Sequence, residues 1–217
     1  MRPRHLPLAL LFVFLAGCGG TKLTYKLTFD TTDPVERTTL GRASANVVER
    51  RLQRLGEEAK ELKIEEKGEE AFVSVKVPNE AIGEELTRQL TTPFKLRIML
   101  ATEDDKADLL TLEYGGFKET GITEKQIKWM TASDEEGGTG RITITFTDEG
   151  RSLMKKIFQE HQGEFLGLFV RDILMSKMYI DTNELKDDII ITGVPRELAG
   201  VFADDVNSGL HVTFSLQ

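Results

Sequence analysis

The sequence predicts an α+β fold built on a ferredoxin-like unit, an antiparallel sheet with helices on one face. Three observations lead there. Short segments alternate apolar and polar residues at period two, the pattern of half-buried strands. Between them lie apolar stripes at helical spacing, opened by capping residues. Up to residue 101 the two kinds follow the order strand, helix, strand, strand, helix, strand.

Tyr25-Lys26-Leu27-Thr28-Phe29 alternates and begins that order. Asp33-Pro34-Val35-Glu36 then starts a helix: Asp33 caps orphan N–H groups, Pro34 suits the first helical position, and Glu36 reaches back to the cap backbone. Leu40, Ala43, Val47, Val48, Leu52 and Leu55 share one stripe, and Gly56 supplies the stop. Strands follow over 62–66 and 71–77, on either side of the turn Lys67-Gly68-Glu69-Glu70. A helix over 80–89 carries Ile82 and Leu86. Phe94, Leu96, Ile98 and Leu100 then alternate in a strand that completes the unit.

Residues 102–121 break periodicity at Thr102-Glu103-Asp104-Asp105 and Tyr114-Gly115-Gly116-Phe117, and read as a junction. Beyond it, Thr123 caps a short helical turn, and Gly137-Gly138-Thr139-Gly140 leads into a strand over 141–146. Thr147 caps a helix containing Leu153, Ile157 and Phe158. Strands over 164–170, 173–180 and 189–192 follow, then a helix over 196–206 and a last strand over 211–216. Val77-Pro78-Asn79-Glu80 and Val194-Pro195-Arg196-Glu197 echo one another, each ahead of a helix and a strand. The echo is either a duplicated unit or two uses of a good helix start.

The N-terminus is of another kind. Arg2 and Arg4 precede the eleven-residue apolar run Leu6 to Ala16, and Leu15-Ala16-Gly17 precedes Cys18, the one cysteine of the chain. A basic start, a short apolar run and small residues mark a secretory signal. The run is too short for the ~20 residues that span a bilayer as a helix. Its end resembles the bacterial lipobox, in which the cysteine sulfur receives a diacylglycerol and cleavage falls just before it. The expectation is a leader over 1–17, a lipidated tether over 18–22, and an extracytoplasmic mature chain held to a bacterial membrane by lipid on Cys18. Two of the 28 Lys+Arg lie in that leader, which leaves 26 against 36 Asp+Glu, a net charge of −10. Such acidity argues against a nucleic-acid partner and against an electrostatic hold on anionic lipid.

One block carries a family resemblance. Ile144-Thr145-Phe146-Thr147-Asp148-Glu149-Gly150 gives a strand ending in Phe, an acidic residue before Gly, and a helix. Gly163 with the apolar strand Phe165–Val170 comes next, then Ile191-Thr192-Gly193 and the closing Asn207-Ser208-Gly209. In this the chain resembles the first extracytoplasmic domain, P1, of SecD, a protein-export membrane protein of the SecD/SecF family. The agreement is looser in the front half, at Glu49-Arg50-Arg51-Leu52 and Phe94-Lys95-Leu96-Arg97. The resemblance implies a ferredoxin-like base over 23–101 and 194–217, and a junction with an inserted α+β head subdomain over 102–193. It also implies partners among Sec-type export components or unfolded secreted polypeptides. The departures are specific. SecD-like sequences place Asp-Gly after the apolar strand and Ala-Pro shortly after; here stand Arg171-Asp172 and Ser176-Lys177. The six membrane helices of SecD have no counterpart in the later segments, whose longest apolar run is Phe165–Val170, so a proton-driven motor is not carried over.

Reactive constellations are not found. His161 and His211 lie fifty residues apart without a cysteine partner or a His-Glu-x-x-His pattern. The loop 137–140 lacks the Gly-Lys-Ser/Thr end of a phosphate loop, and Ser44 and Ser152 lack a Gly-x-Ser-x-Gly elbow. No catalytic residue, metal ligand or cofactor is expected. One surface remains as a candidate: Phe165, Phe169, Met175 and Met178 crowd two consecutive strands. They are either an adaptable apolar contact for extended polypeptide or the core faces of two half-buried strands, and packing is the favoured reading. The sequence thus predicts a non-catalytic, lipid-anchored module that binds polypeptide or partner proteins. A structural envelope lipoprotein that kept the fold is the rival.

Overall fold

The computed structural model describes residues 20–68, 70–184 and 188–217. The expected leader, the lipidation site Cys18, Glu69 of the first predicted turn and Asp187 lie outside them. In chain order the elements are β1 (Thr21–Phe29), α1 (Pro34–Arg54), β2 (Lys60–Lys67), β3 (Glu70–Val77), α2 (Glu80–Thr91) and β4 (Leu96–Thr102). There follow β5 (Leu109–Thr111), β6 (Gly115–Thr123), β7 (Ile127–Asp134), β8 (Thr139–Phe146), α3 (Asp148–Glu160), β9 (Phe165–Val170), β10 (Ile173–Tyr179), β11 (Ile189–Pro195), α4 (Arg196–His211) and β12 (Val212–Leu216). The fold is α+β, with three antiparallel sheets.

The base is the four-stranded sheet β12-β1-β3-β2 with α1 and α2 packed on it. Helix α1 starts where its cap chemistry places it: the Asp33 carboxylate accepts from the N–H groups of Val35 (2.8 Å) and Glu36 (3.0 Å), and Pro34 opens the first turn. It stops after Leu55, where Gly56 takes the left-handed conformation (φ 79°). Val48 and Leu52 of α1, Leu86 of α2, and Tyr25, Val73 and Val75 of the sheet are fully buried together. Each large aliphatic contributes roughly 1.5–3 kcal/mol relative to exposure.

One assignment is corrected here. The strand over 94–100 does not complete the base sheet: β12 pairs with β1 in the register Tyr25↔Leu216 to Phe29↔Val212, while β4 pairs with β6 and β9. The reason is burial. Strand β4 is apolar on both faces, with Leu96, Ile98 and Leu100 on one and Met99 on the other, and needs cover on each. Strand β12 buries only Phe214 and suits an edge. The Val-Pro-x-Glu echo accordingly begins two helices, α2 and α4, whose following strands enter different sheets.

The second sheet has the order β10-β9-β4-β6-β5 and the third β11-β8-β7. The largest core lies between them, from Ile98, Leu100, Leu166 and Leu168 to Ile142, Ile144 and Phe146, closed by Met154 of α3 and by Phe202 and Val206 of α4. The expected junction therefore contains two strands, β5 and β6. Strand β5 is only three residues long, and the alternation of β6 is interrupted by the exposed pair Lys118-Glu119. Strand β7 is hidden for another reason: a bulge between Ile127 and Trp129 shifts its register and breaks period two. The turn capped by Thr123 is a single 3-10 turn, Glu124–Gln126. Thr147 caps α3 by accepting from Gly150 N–H at 3.1 Å. Gly150 is obligatory, since a Cβ there would overlap the Gln126 carbonyl.

Candidate functional site

The four predicted surface residues are dealt to three places, and the pleat explains how. Residues opposite one another in β9 and β10 share a face, so Leu174 lies with Phe169, and Tyr179 with Phe165, on the outer face of the second sheet. Phe169 is fully buried there, edge-to-face with Phe117 at 4.9 Å and packed with Met99. Phe165 is 41% exposed, its ring 5.0 Å from that of Tyr179 and the Lys177 ammonium 4.7 Å from its centroid. Met178 points to the opposite face and packs half-buried against the main core.

Met175 stands apart from all three. The register of β10 against β9 slips between Leu174 and Ser176, which makes Met175 the extra residue of a bulge. Bulges re-aim side chains, and this one sends Met175, 49% exposed, over a groove of about 260 Å³. The far wall is Ile191 and Val194 of β11, with Leu198, Val201 and Phe202 of α4. Leu198 is 55% exposed at the mouth, while Ile142 and Phe202 form the floor. Arg54, Ser176 and Asp205 supply the polar end.

Two physical features define what this groove can do. Its lining is apolar, with a flexible thioether on one lip, so it accepts varied apolar side chains. It also lies between two sheet margins, since β10 is the edge strand of the second sheet and β11 of the third, and edge backbone can pair with an added strand. Among the described residues no group of three or more His, Cys, Asp or Glu stands close enough to hold a metal. No helix there is long and apolar enough to cross a membrane.

The α4 wall was overlooked in the sequence, although a signal existed. Ala199, Phe202, Ala203 and Val206 form the buried stripe of α4. Leu198 and Val201 form a second, adjacent stripe, wider than one core contact needs.

A split ferredoxin-like base, closed by the last strand of the chain and carrying a two-sheet insertion, is the class of protein these elements define. The same fold is found in the crystal structure of SecDF, a translocon-associated membrane protein from Thermus thermophilus. It is 18% identical at a TM-score of 0.51, over 91% of this chain and 30% of that one. Two further structures match less closely. SecDF in its super-membrane-facing form gives 19% identity and TM-score 0.47, over 92% of this chain and 30% of that one. A structure of SecDF described as a membrane component that enhances protein export gives 18% and 0.46, over 89% and 97%. No family model and no curated protein matches the sequence. In fold, the chain is similar to SecDF, and it spans 30% of the Thermus thermophilus chain.

Proposed function

We propose that this chain is a lipid-anchored, extracytoplasmic and non-catalytic SecD P1-like module that holds extended polypeptide, or a partner's extended segment, in connection with protein export. The observation that carries the reading is the groove under Met175 and Leu198: apolar, open at the mouth, and set between two free strand edges. Added-strand pairing supplies sequence-independent affinity, and the groove takes alternate side chains. The shared fold with SecDF, a translocon-associated membrane protein, supports the link to export. The Leu15-Ala16-Gly17-Cys18 sequence supports lipid on Cys18 and a leader over 1–17. Two or more acyl chains then provide stable anchorage without a spanning helix.

The test is crosslinking from the native membrane. A photoreactive residue in place of Met175 is expected to trap Sec-type components or secreted polypeptides in transit, whereas one at exposed Leu112, on the far β5 edge, is not. Equal labelling from both positions would leave the structural-lipoprotein reading in possession. Intact-mass analysis tests the anchor separately: the mature chain begins at Cys18 with diacylglycerol attached, and Cys18→Ser abolishes the addition, since a hydroxyl does not replace the thiolate as acceptor.

A further inference from the structure

Asp205 also borders a second cavity, of about 280 Å³, where the end of α2, the last turn of α4, the start of β12 and the β9–β10 turn meet α1. Positive charge collects here. Arg50, Arg51 and Arg54 of α1 and Arg171 of the turn lie around Asp204 and Asp205, and of these six Arg51, Arg171 and Asp205 line the cavity, two cations and one anion in a chain of formal net charge −8. Arg50 takes most of what the carboxylates offer, donating to Asp205 Oδ1 at 2.7 Å and to Asp204 Oδ2 at 3.4 Å. Asn46 donates to that same Asp204 oxygen at 2.8 Å.

Arg51 is left over. Only 9% exposed, it lies 3.7 Å from Asp205 Oδ2, outside hydrogen-bond reach. Burial first, and the three neighbouring arginines after it, push its pKa below the ordinary value against the pull of Asp205. A guanidinium stays charged regardless, so Arg51 keeps its charge beside Asp205, ion-paired with it but not hydrogen-bonded to it. Arg171, like Arg50, has a buried Nε without a hydrogen-bond partner among the described residues. The ends of α2 and α4 temper the field with their partial negative charge, but neither guanidinium donates to their carbonyls among the described residues.

The backbone carries a matching signal. Arg171 and Asp172 both have positive φ, 51° and 65°, in the two-residue turn between paired Val170 and Ile173. Such turns favour Asn-Gly or Asp-Gly, because a Cβ is strained in the left-handed region. Here both residues have large side chains that are used: Asp172 pairs with Arg97, and Arg171 lines the cavity. Strain of this kind is stored where the surrounding structure uses the conformation.

We propose that this cavity is a site for a phosphate-type oxyanion, held by the forks of Arg51 and Arg171 with the Ser208 hydroxyl and Thr92 at its wall. Paired guanidiniums match the oxygen geometry of phosphate. At ~30 Å³ per water the space also admits ordered solvent around the ion. The site is independent of the groove reading, since its ligand is a small anion and its key side chains are different.

The experiment is titration of the whole chain, in neutral detergent at fixed ionic strength, with inorganic phosphate and, separately, with dihexanoyl phosphatidylglycerol below its micelle concentration. One of the two is expected to raise the unfolding midpoint saturably, and which one does so says whether a free ion or a lipid headgroup is the source. Arg171→Gln alters a half-buried side chain of the turn, so its own unliganded midpoint is the reference for its response. It should weaken binding about tenfold or more, the loss of one charge-assisted fork, with partial recovery in Arg171→Lys. Arg51→Gln serves as the buried counterpart if it folds. No saturable response to either probe, or an undiminished response in Arg171→Gln, overturns the proposal.

Discussion

Asn207 completes the open edge of β7 by bonding both backbone groups of Met130. Its Oδ1 accepts from Met130 N–H at 2.9 Å, and its Nδ2 donates to the Met130 carbonyl at 2.7 Å. The side chain is 5% exposed, so helix α4 supplies a strand-like partner where the third sheet ends. Asn207→Leu leaves both groups of Met130 buried and unmatched. At about 1–3 kcal/mol for each orphaned group, a loss of roughly 2–6 kcal/mol is expected by urea unfolding.

Gly209, two positions on, is set by contact rather than by φ. A Cβ there would overlap the Phe94 ring. Gly209→Ala should cost about 1–3 kcal/mol by overpacking. Combined with Phe94→Leu, the two losses should be less than additive, because the smaller side chain vacates the space. A double-mutant cycle reads this directly.

The acid limb of stability includes Glu85. Hydrogen bonds from Arg88, and then from Gln89, lower its pKa to about 2 from the ordinary 4.5. A depressed carboxyl contributes stability above its unfolded pKa and loses that contribution as pH falls through the folded one, here between about 4.5 and about 2. The group is exposed, so salt should narrow the shift. An NMR titration should find Glu85 titrating near 2, and Arg88→Gln should return it toward 4.5.

The division into base and insertion makes its own prediction. Replacing 95–195 with a Gly/Ser linker retains the sheet β12-β1-β3-β2 and helices α1, α2 and α4. Phe94 lies against Gly209 near the far end of α4, so the linker must run back along the helix, roughly 20 Å at ~1.5 Å per residue. A linker of about twelve residues suffices. The shortened chain should unfold in one cooperative urea transition, and further removal of 212–217 should abolish it by stripping β1 of one of its two partners. Persistence of the transition after that removal counts against β12 as the closing strand.

Much of this was legible in the sequence, and what was not has a common cause. Helix α1 could be read from Asp33-Pro34 and one stripe because caps and stripes are local. Strand β4 could be read as a strand, but alternation says nothing of which strand lies beside it, and only burial on both faces removes it from the base edge. Met175 illustrates the limit within the site. Its position in a period-two run groups it with the neighbours of Phe165, yet a single bulged residue sends it to another surface. Asn207-Ser208-Gly209 could be matched as a motif; its reasons, an edge partner for Met130, a serine pair with Ser44 and a seat for Phe94, are all long-range.

The groove is tested most directly by titrating the purified chain with a fluorescent, unfolded secretory polypeptide while following the unfolding midpoint of each variant. Met175→Asp and Leu198→Asp alter half-exposed side chains, so stability should stay within about 0.5 kcal/mol of the parent. Phe169→Ala, in the outer-face cluster, should cost about 3–5 kcal/mol and serves as the packing control. The account predicts saturable binding by the parent, without nucleotide, metal or membrane potential, weakened about tenfold or more by either aspartate at unchanged stability. No saturable signal from the parent, or equal affinity in both aspartate variants, would contradict it.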